Sequence, residues 1–225
     1  AQCLVGSEMC IRDRICTGIA VVIIPIVCLY LLQCLLVPKY ASDIKEGAMI
    51  KEYYNSEKNH DVLILGDCEV YENISTVTMW ENYGISSYIR GSAEQLIWQS
   101  YYLLEDTLKY EKPQVVILNV LAMTESDAKN EAYNRMTLDG MKLSKYKIAS
   151  IRESMTEEEN MASYIFPLLR YHSRWSELSS EDFRYMWKTP SVTTNGYLMQ
   201  KGVRPVTTIP KAAPVSYTHL TLPTN

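Results

Sequence analysis

Apolar and polar positions along the chain fall into two regimes. The first is an uninterrupted apolar stretch, Ile15 to Val37, which carries no charged residue. A stretch of this length can cross the hydrocarbon core of a bilayer as one helix, and Pro25 within it predicts a kink of the kind membrane helices tolerate. No small-residue cleavage site precedes Pro38-Lys39-Tyr40, so the expectation is a single transmembrane helix or uncleaved signal anchor, with a buried core helix as the alternative.

The second regime alternates short apolar runs with helical spacing. Val62 to Leu65 is too short for a helix and suits a strand buried on both faces; Gly66 follows as the turn off it. Val70 to Tyr83 predicts a helix closed by Gly84, and Ile85 to Ile89 a second strand leaving through Arg90-Gly91-Ser92. Ser92 with Gln95 has the spacing of a capping box, and Leu96, Ile97, Tyr101, Leu104 and Leu108 continue a helical face to about Tyr110. Lys112-Pro113 ends that helix, and Gln114 to Val120 predicts a third buried strand.

Strand, helix, strand, helix, strand with continuously apolar strands argues a parallel sheet covered on both faces, a three-layer α/β fold of flavodoxin-like outline, here incomplete and preceded by the apolar helix. Residues 38–59 are polar with scattered aliphatics and predict a membrane-proximal helix or linker that acts as a spacer. Beyond Leu121 a polar loop is expected from Thr124 to Arg135, then helices over about 139–154, 156–175 and 180–187, with Thr156 and Glu159 as another capping box and Pro167 as a break. This helical insertion, about 122–188, is expected over the carboxyl edge of the sheet or beside it. Thr189 to Ala213 predicts a loop.

The chemistry expected of such a sheet lies at the carboxyl ends of its strands. There the chain reads Gly66-Asp67-Cys68-Glu69 directly after the first strand. The block resembles the Gly-Asp-Ser-X signature of the SGNH/GDSL hydrolases, a family of esterases, lipases and carbohydrate acyl-modifying enzymes, with cysteine in place of serine. The run from Tyr83 to Val120, with Tyr171-His172-Ser173-Arg174-Trp175, is similar to bacterial envelope members of that family, some related in outline to proteins that move acyl or alanyl groups onto cell-wall polymers.

The resemblance implies an ester hydrolase or acyltransferase acting on a cell-surface polysaccharide or acylated polymer, with its soluble domain outside the cytoplasm. The family's nucleophile falls on Cys68, and its oxyanion donors fall on the Cys68 amide, Gly91 and Asn119. The family's Gly-X-Asn-Asp is absent around Asn119, which equally reads as a strand residue bonded to a neighbouring turn; Gly91 equally reads as a turn glycine. The family's base, a histidine preceded by aspartate in Asp-X-X-His, has no counterpart: His60 precedes the first strand and His172 lies in a predicted helix. A thiol without a base, with a free pKa of about 8.5, is a poor nucleophile near neutrality, so the chain as given is expected to be inactive. The alternative is a non-catalytic envelope protein that keeps the fold for binding or assembly.

Composition narrows these readings. A formal net charge of −4, with scattered Lys and Arg, shows neither a nucleic-acid footprint nor a polybasic lipid patch, and the membrane is the expected partner. Cysteines outside the apolar stretch and the amino-terminal residues reduce to Cys68, so neither a disulfide nor a zinc site is expected, and no glycine loop for a phosphate or dinucleotide cofactor occurs. The abundant tyrosines fit helix faces packing onto the sheet, with sugar stacking as a lesser use. Finally, codons for Met9 to Asp13 can be chosen so that their reverse complement encodes Val215 to His219, and the string matches the transposon end used in sequencing libraries. Residues 1–14 and 214–225 are therefore expected to be translated adapter, residues 15–213 native, with the missing Asp-X-X-His encoded past Ala213. Charge gives no orientation for the anchor, because Arg12 and Arg14 belong to the adapter-like stretch.

Overall fold

The computed structural model describes residues 2–41, 46–124 and 130–199; the adapter-like residues 214–225 and the end of the expected Thr189 to Ala213 loop lie outside the described residues. Helix α1, Gln2–Leu36, runs unbroken past Pro25. Its apolar side chains from Ile15 to Tyr30 stay in the open, with Val21 65% and Ile24 60% exposed. The stretch Arg12–Leu36 is long and apolar enough to cross a membrane. At its carboxyl end, unsatisfied carbonyls meet cations: Lys39 Nζ donates to the Cys34 carbonyl at 2.6 Å and Arg174 Nη1 to the Leu36 carbonyl at 2.6 Å.

The rest of the described chain is α/β, built on a small parallel sheet of strand order β2-β1-β3. Central strand β1 spans Val62–Gly66, β2 Ser87–Gly91 and β3 Val115–Leu118. Register sets Gly66 opposite Gly91 and Leu65 opposite Leu118, so all three strands deliver their carboxyl ends to one edge. Helix α2, Glu46–Glu52, precedes β1 through a 3₁₀ turn; α3, Cys68–Asn73, and α4, Thr76–Tyr83, link β1 to β2; α5, Ile97–Thr107, links β2 to β3. One face of β1 packs Leu63 and Leu65 against Leu103 of α5 and against Leu138, Ile151 and Tyr164 from later helices. The other packs Val62 and Ile64 with Ile89 against Val70 and Tyr71 of α3. Burial on both faces explains why β1 carries no alternation.

The remaining helices are α6, Glu131–Leu138; α7, Lys145–Ser154; α8, Met161–Ile165; α9, Leu168–Tyr171; and α10, Ser180–Arg184. They thicken the α5 layer and reach α1, so the helical insertion packs beside the sheet. Pro167 separates α8 from α9 as its missing N–H dictates.

Several expectations are corrected. The third strand is not buried: Val115 to Leu118 are 39–51% exposed, because no described element covers this edge. Residues 38–59 are not a spacer, since Ala48, Met49, Ile50 and Tyr53 enter the core. The helix after β1 is two helices, split where Ser75 caps α4 by accepting from Thr78 N at 3.1 Å; Gly84 then closes α4 in the left-handed region at φ 66. The second strand begins and ends two residues later than its apolar run, and takes in Arg90 and Gly91. Ser92 and Gln95 bond to each other ahead of α5 rather than capping it, and Gln99 closes the α5 end by accepting from Leu96 N at 3.1 Å. Thr156 and Glu159 likewise bond, yet the helix there starts at Met161 with Asn160 as its cap. Within the expected polar loop, Glu131 onward is helical, started by Asn130 accepting from Tyr133 N at 3.2 Å.

Candidate functional site at the carboxyl edge of the sheet

The turn from β1 into α3 is tight because its neighbours leave no room for a side chain. A Cβ on Gly66 would stand 2.6 Å from Asn119 Cβ and 3.1 Å from a Val70 methyl; one on Gly91 would stand 2.9 Å from the Gly66 carbonyl and 3.0 Å from the Tyr71 ring. The two paired glycines thus let α3 and the end of β3 close onto the strand ends. Asp67 caps α3, its Oδ1 accepting from Glu69 N at 3.0 Å. The same oxygen accepts from Asn119 Nδ2 at 2.9 Å, while Asn119 N donates to the Leu65 carbonyl at 2.9 Å and Asn119 Oδ1 accepts from Leu121 N at 2.9 Å. Gly66, Asp67, Asn119 and Gly91 are therefore brought together at one rim, and Cys68 opens the helix that leaves it.

The electrostatics of Cys68 oppose ionisation. Burial pushes the thiol pKa up, and the charges of Asp67, Glu72 and Glu69 push it further. Its sulfur is free and partly exposed. Glu69 stands in the first turn of α3, where its carboxylate complements the helix dipole. Asn119, held by Asp67 and by its own following turn, has its amide engaged inside the elbow.

No described histidine reaches this rim. His60 lies before β1, at the opposite edge, where its Nδ1 is 2.8 Å from Glu111 Oε2 and its ring stands edge-on to Tyr88. Burial pushes the Glu111 carboxyl up, but hydrogen bonds from His60 and Tyr53 outweigh it and hold the pKa below the ordinary carboxylate value. His172 sits on the far end of α9, exposed, with Nδ1 2.9 Å from the Leu169 carbonyl. Among the described residues no cluster of His, Cys, Asp and Glu is arranged to hold a metal ion.

One feature beside the rim escaped sequence reasoning. Arg90 is fully buried next to Gly91, donating to Thr107 Oγ1 at 2.8 Å, to the Leu103 carbonyl at 3.1 Å and to Asp106 Oδ2 at 3.3 Å, with its guanidinium over the Tyr53 ring. It ties the carboxyl end of β2 to α5. An arginine directly after the apolar run Ile85 to Ile89, with an aspartate one helix later, was the available signal.

No family model matches this chain, and neither a curated protein nor a solved structure does.

Proposed function

We propose that this chain is a membrane-anchored SGNH/GDSL-like protein whose β1–α3 elbow is the acyl-transfer site for an ester carried by a cell-envelope glycan or polymer. The observation that carries the reading is the convergence of Gly66, Asp67, Gly91 and Asn119 on the rim where Cys68 opens α3. Attack by Cys68 on an ester carbonyl would form a thioester and expel an alcohol, with a base outside the described residues taking the thiol proton; water or an acceptor hydroxyl would then release the acyl group. Anchoring rests on α1, whose apolar surface is open to the surroundings from Ile15 to Tyr30. The soluble domain is placed on the extracytoplasmic side by the same resemblance.

A second reading is favoured by the charges around the thiol. A cysteine held neutral by burial and three carboxylates, with no described imidazole beside it, suits a rim that binds without reacting. One experiment separates the two. The full-length protein, incubated with an activated acetyl ester and with acylated envelope polymer, is digested and the Cys68 peptide weighed. An acetyl adduct on Cys68, absent from Cys68→Ala and discharged by hydroxylamine, supports acyl transfer. Unmodified Cys68 together with saturable retention of the polymer supports the binding reading and ends the catalytic one.

A further inference from the structure

A cavity of about 260 Å³ opens where the chain leaves α1. Its lining includes Lys39, Lys51, Arg135, Arg170 and Lys188 against the single carboxylate of Asp139. In a chain of net charge −4, that is a strong local excess of positive charge. Arg135 is spoken for, bonded to Glu131 at 2.8 Å and Asp139 at 3.1 Å, and Arg170 lies 3.3 Å from Glu131. Lys39 Nζ donates to the Cys34, Leu35 and Val37 carbonyls, and Lys51 and Lys188 have no carboxylate partner among the described residues.

The cations resist one another. Burial lowers Lys39 to about 8, Asp182 opposes the shift, and the charges of Lys51 and Arg174 deepen it. Lys51 is lowered by the atoms packed around it as well, although the residue keeps a solvent-exposed face. An anion in the cavity would relieve both.

Depth points to the source of that anion. Val37 and Pro38, the first residues past α1, form part of the wall. Tyr30, about 9 Å back along the helix from Leu36 at 1.5 Å per residue, meets Trp187 at 6.4 Å between ring centres. Trp187 is 63% exposed and Phe183 61%, and both lie on the segment packed against α1. Exposed aromatic residues beside the end of a membrane-length helix mark the level of the bilayer interface. The cavity then lies at the level of the phosphates.

We propose that this cavity binds the phosphate of an anionic phospholipid headgroup at the exit of α1. The inference rests on the membrane-anchored reading above. Lysine side chains supply point charges to a phosphate, with an arginine beside them for directional hydrogen bonds, and basic pockets at membrane exits take lipid headgroups in this way. The cluster is assembled from the chain just past α1, from α2, α6 and α9, and from the chain after α10, so no stretch of sequence displays it.

The test uses the full chain in nanodiscs of phosphatidylcholine alone or with phosphatidylglycerol, with bound lipid read by native mass spectrometry. Phosphatidylglycerol retained in preference to phosphatidylcholine by the wild type, and about tenfold less by Lys51→Gln/Lys188→Gln, is the expected result. Equal retention of the two lipids, or an unaffected double variant, overturns the proposal. In a second arm inorganic phosphate is titrated against the detergent-solubilised chain. Displacement of phosphatidylglycerol by micromolar phosphate would overturn the lipid source, whereas displacement needing many millimolar supports it. Alkaline extraction from phosphatidylcholine vesicles reports on the anchor separately: release of the chain sinks the anchored reading and with it the headgroup assignment, whereas retention with no lipid preference sinks the headgroup assignment alone.

Discussion

Replacing Gly66 with alanine tests the close approach on which the elbow depends. The new methyl would stand 2.6 Å from Asn119 Cβ and 3.1 and 3.3 Å from the Val70 methyls. Carbon atoms settle at about 3.5–4.0 Å, so Asn119 would have to retreat by about 1 Å. It is poorly placed to do so, with its N–H on the Leu65 carbonyl and its amide on Asp67, each at 2.9 Å. A retreat of about 1 Å carries either bond outside hydrogen-bonding range. Overpacking at about 1–3 kcal/mol, one or two lost hydrogen bonds at about 1 kcal/mol each, and about 1 kcal/mol for an alanine at the φ of +157 sum to about 3–6 kcal/mol. For a domain of this size that is a fall in Tm of about 10 °C. Gly84→Ala is the control: its φ is +66 but nothing lies within 4 Å of the added Cβ, so only the left-handed backbone cost, about 1 kcal/mol, applies. Thermal unfolding of the detergent-solubilised chain, followed by circular dichroism, compares the two. If Gly66→Ala destabilises no more than Gly84→Ala, the crowding account of the elbow is wrong.

Asp67→Ala removes both the α3 cap and the anchor of Asn119, and should cost about 1–3 kcal/mol in the same assay, while Asp67→Asn, which keeps an accepting oxygen, should cost clearly less. Lys147 is buried with its Nζ on the Met141 carbonyl, and burial lowers its pKa from 10.5 to about 8, equivalent to about 3 kcal/mol of penalty on the charged form at neutral pH. Because the unfolded chain binds the extra proton between pH 8 and 10.5, wild-type stability gains from this group as pH rises through that window; Lys147→Met should therefore stabilise by about 1–2 kcal/mol at pH 7 and lose the advantage by pH 10, and an equal effect at both values in urea unfolding would contradict it. With the other cysteines replaced by serine, alkylation of Cys68 by iodoacetamide at pH 7.5 should be slower than that of a free thiol and accelerate on Glu72→Gln; a rate above the free thiol would overturn the electrostatic account of the rim.

Local pattern was enough for what local physics decides. The apolar stretch ending at Leu36, the three strands, the break at Pro167 and the left-handed Gly84 follow from hydropathy and backbone freedom, and the parallel α/β class follows from continuous apolar strands alternating with helices. The Gly66-to-Glu69 block was legible as a turn at the carboxyl edge because strand, glycine and capping aspartate are neighbours in sequence. What the sequence could not show were relations between distant residues. The order β2-β1-β3, the pinning of Asn119 by Asp67, the burial of Arg90 against α5, the exposure of β3 and the cation-lined cavity at the end of α1 all arise from side chains brought together by folding. Hydrophobicity sets which elements form and which faces they bury. Only packing decides which charges and hydrogen bonds then meet, because those interactions fall off within a few ångströms and carry no periodic mark along the chain.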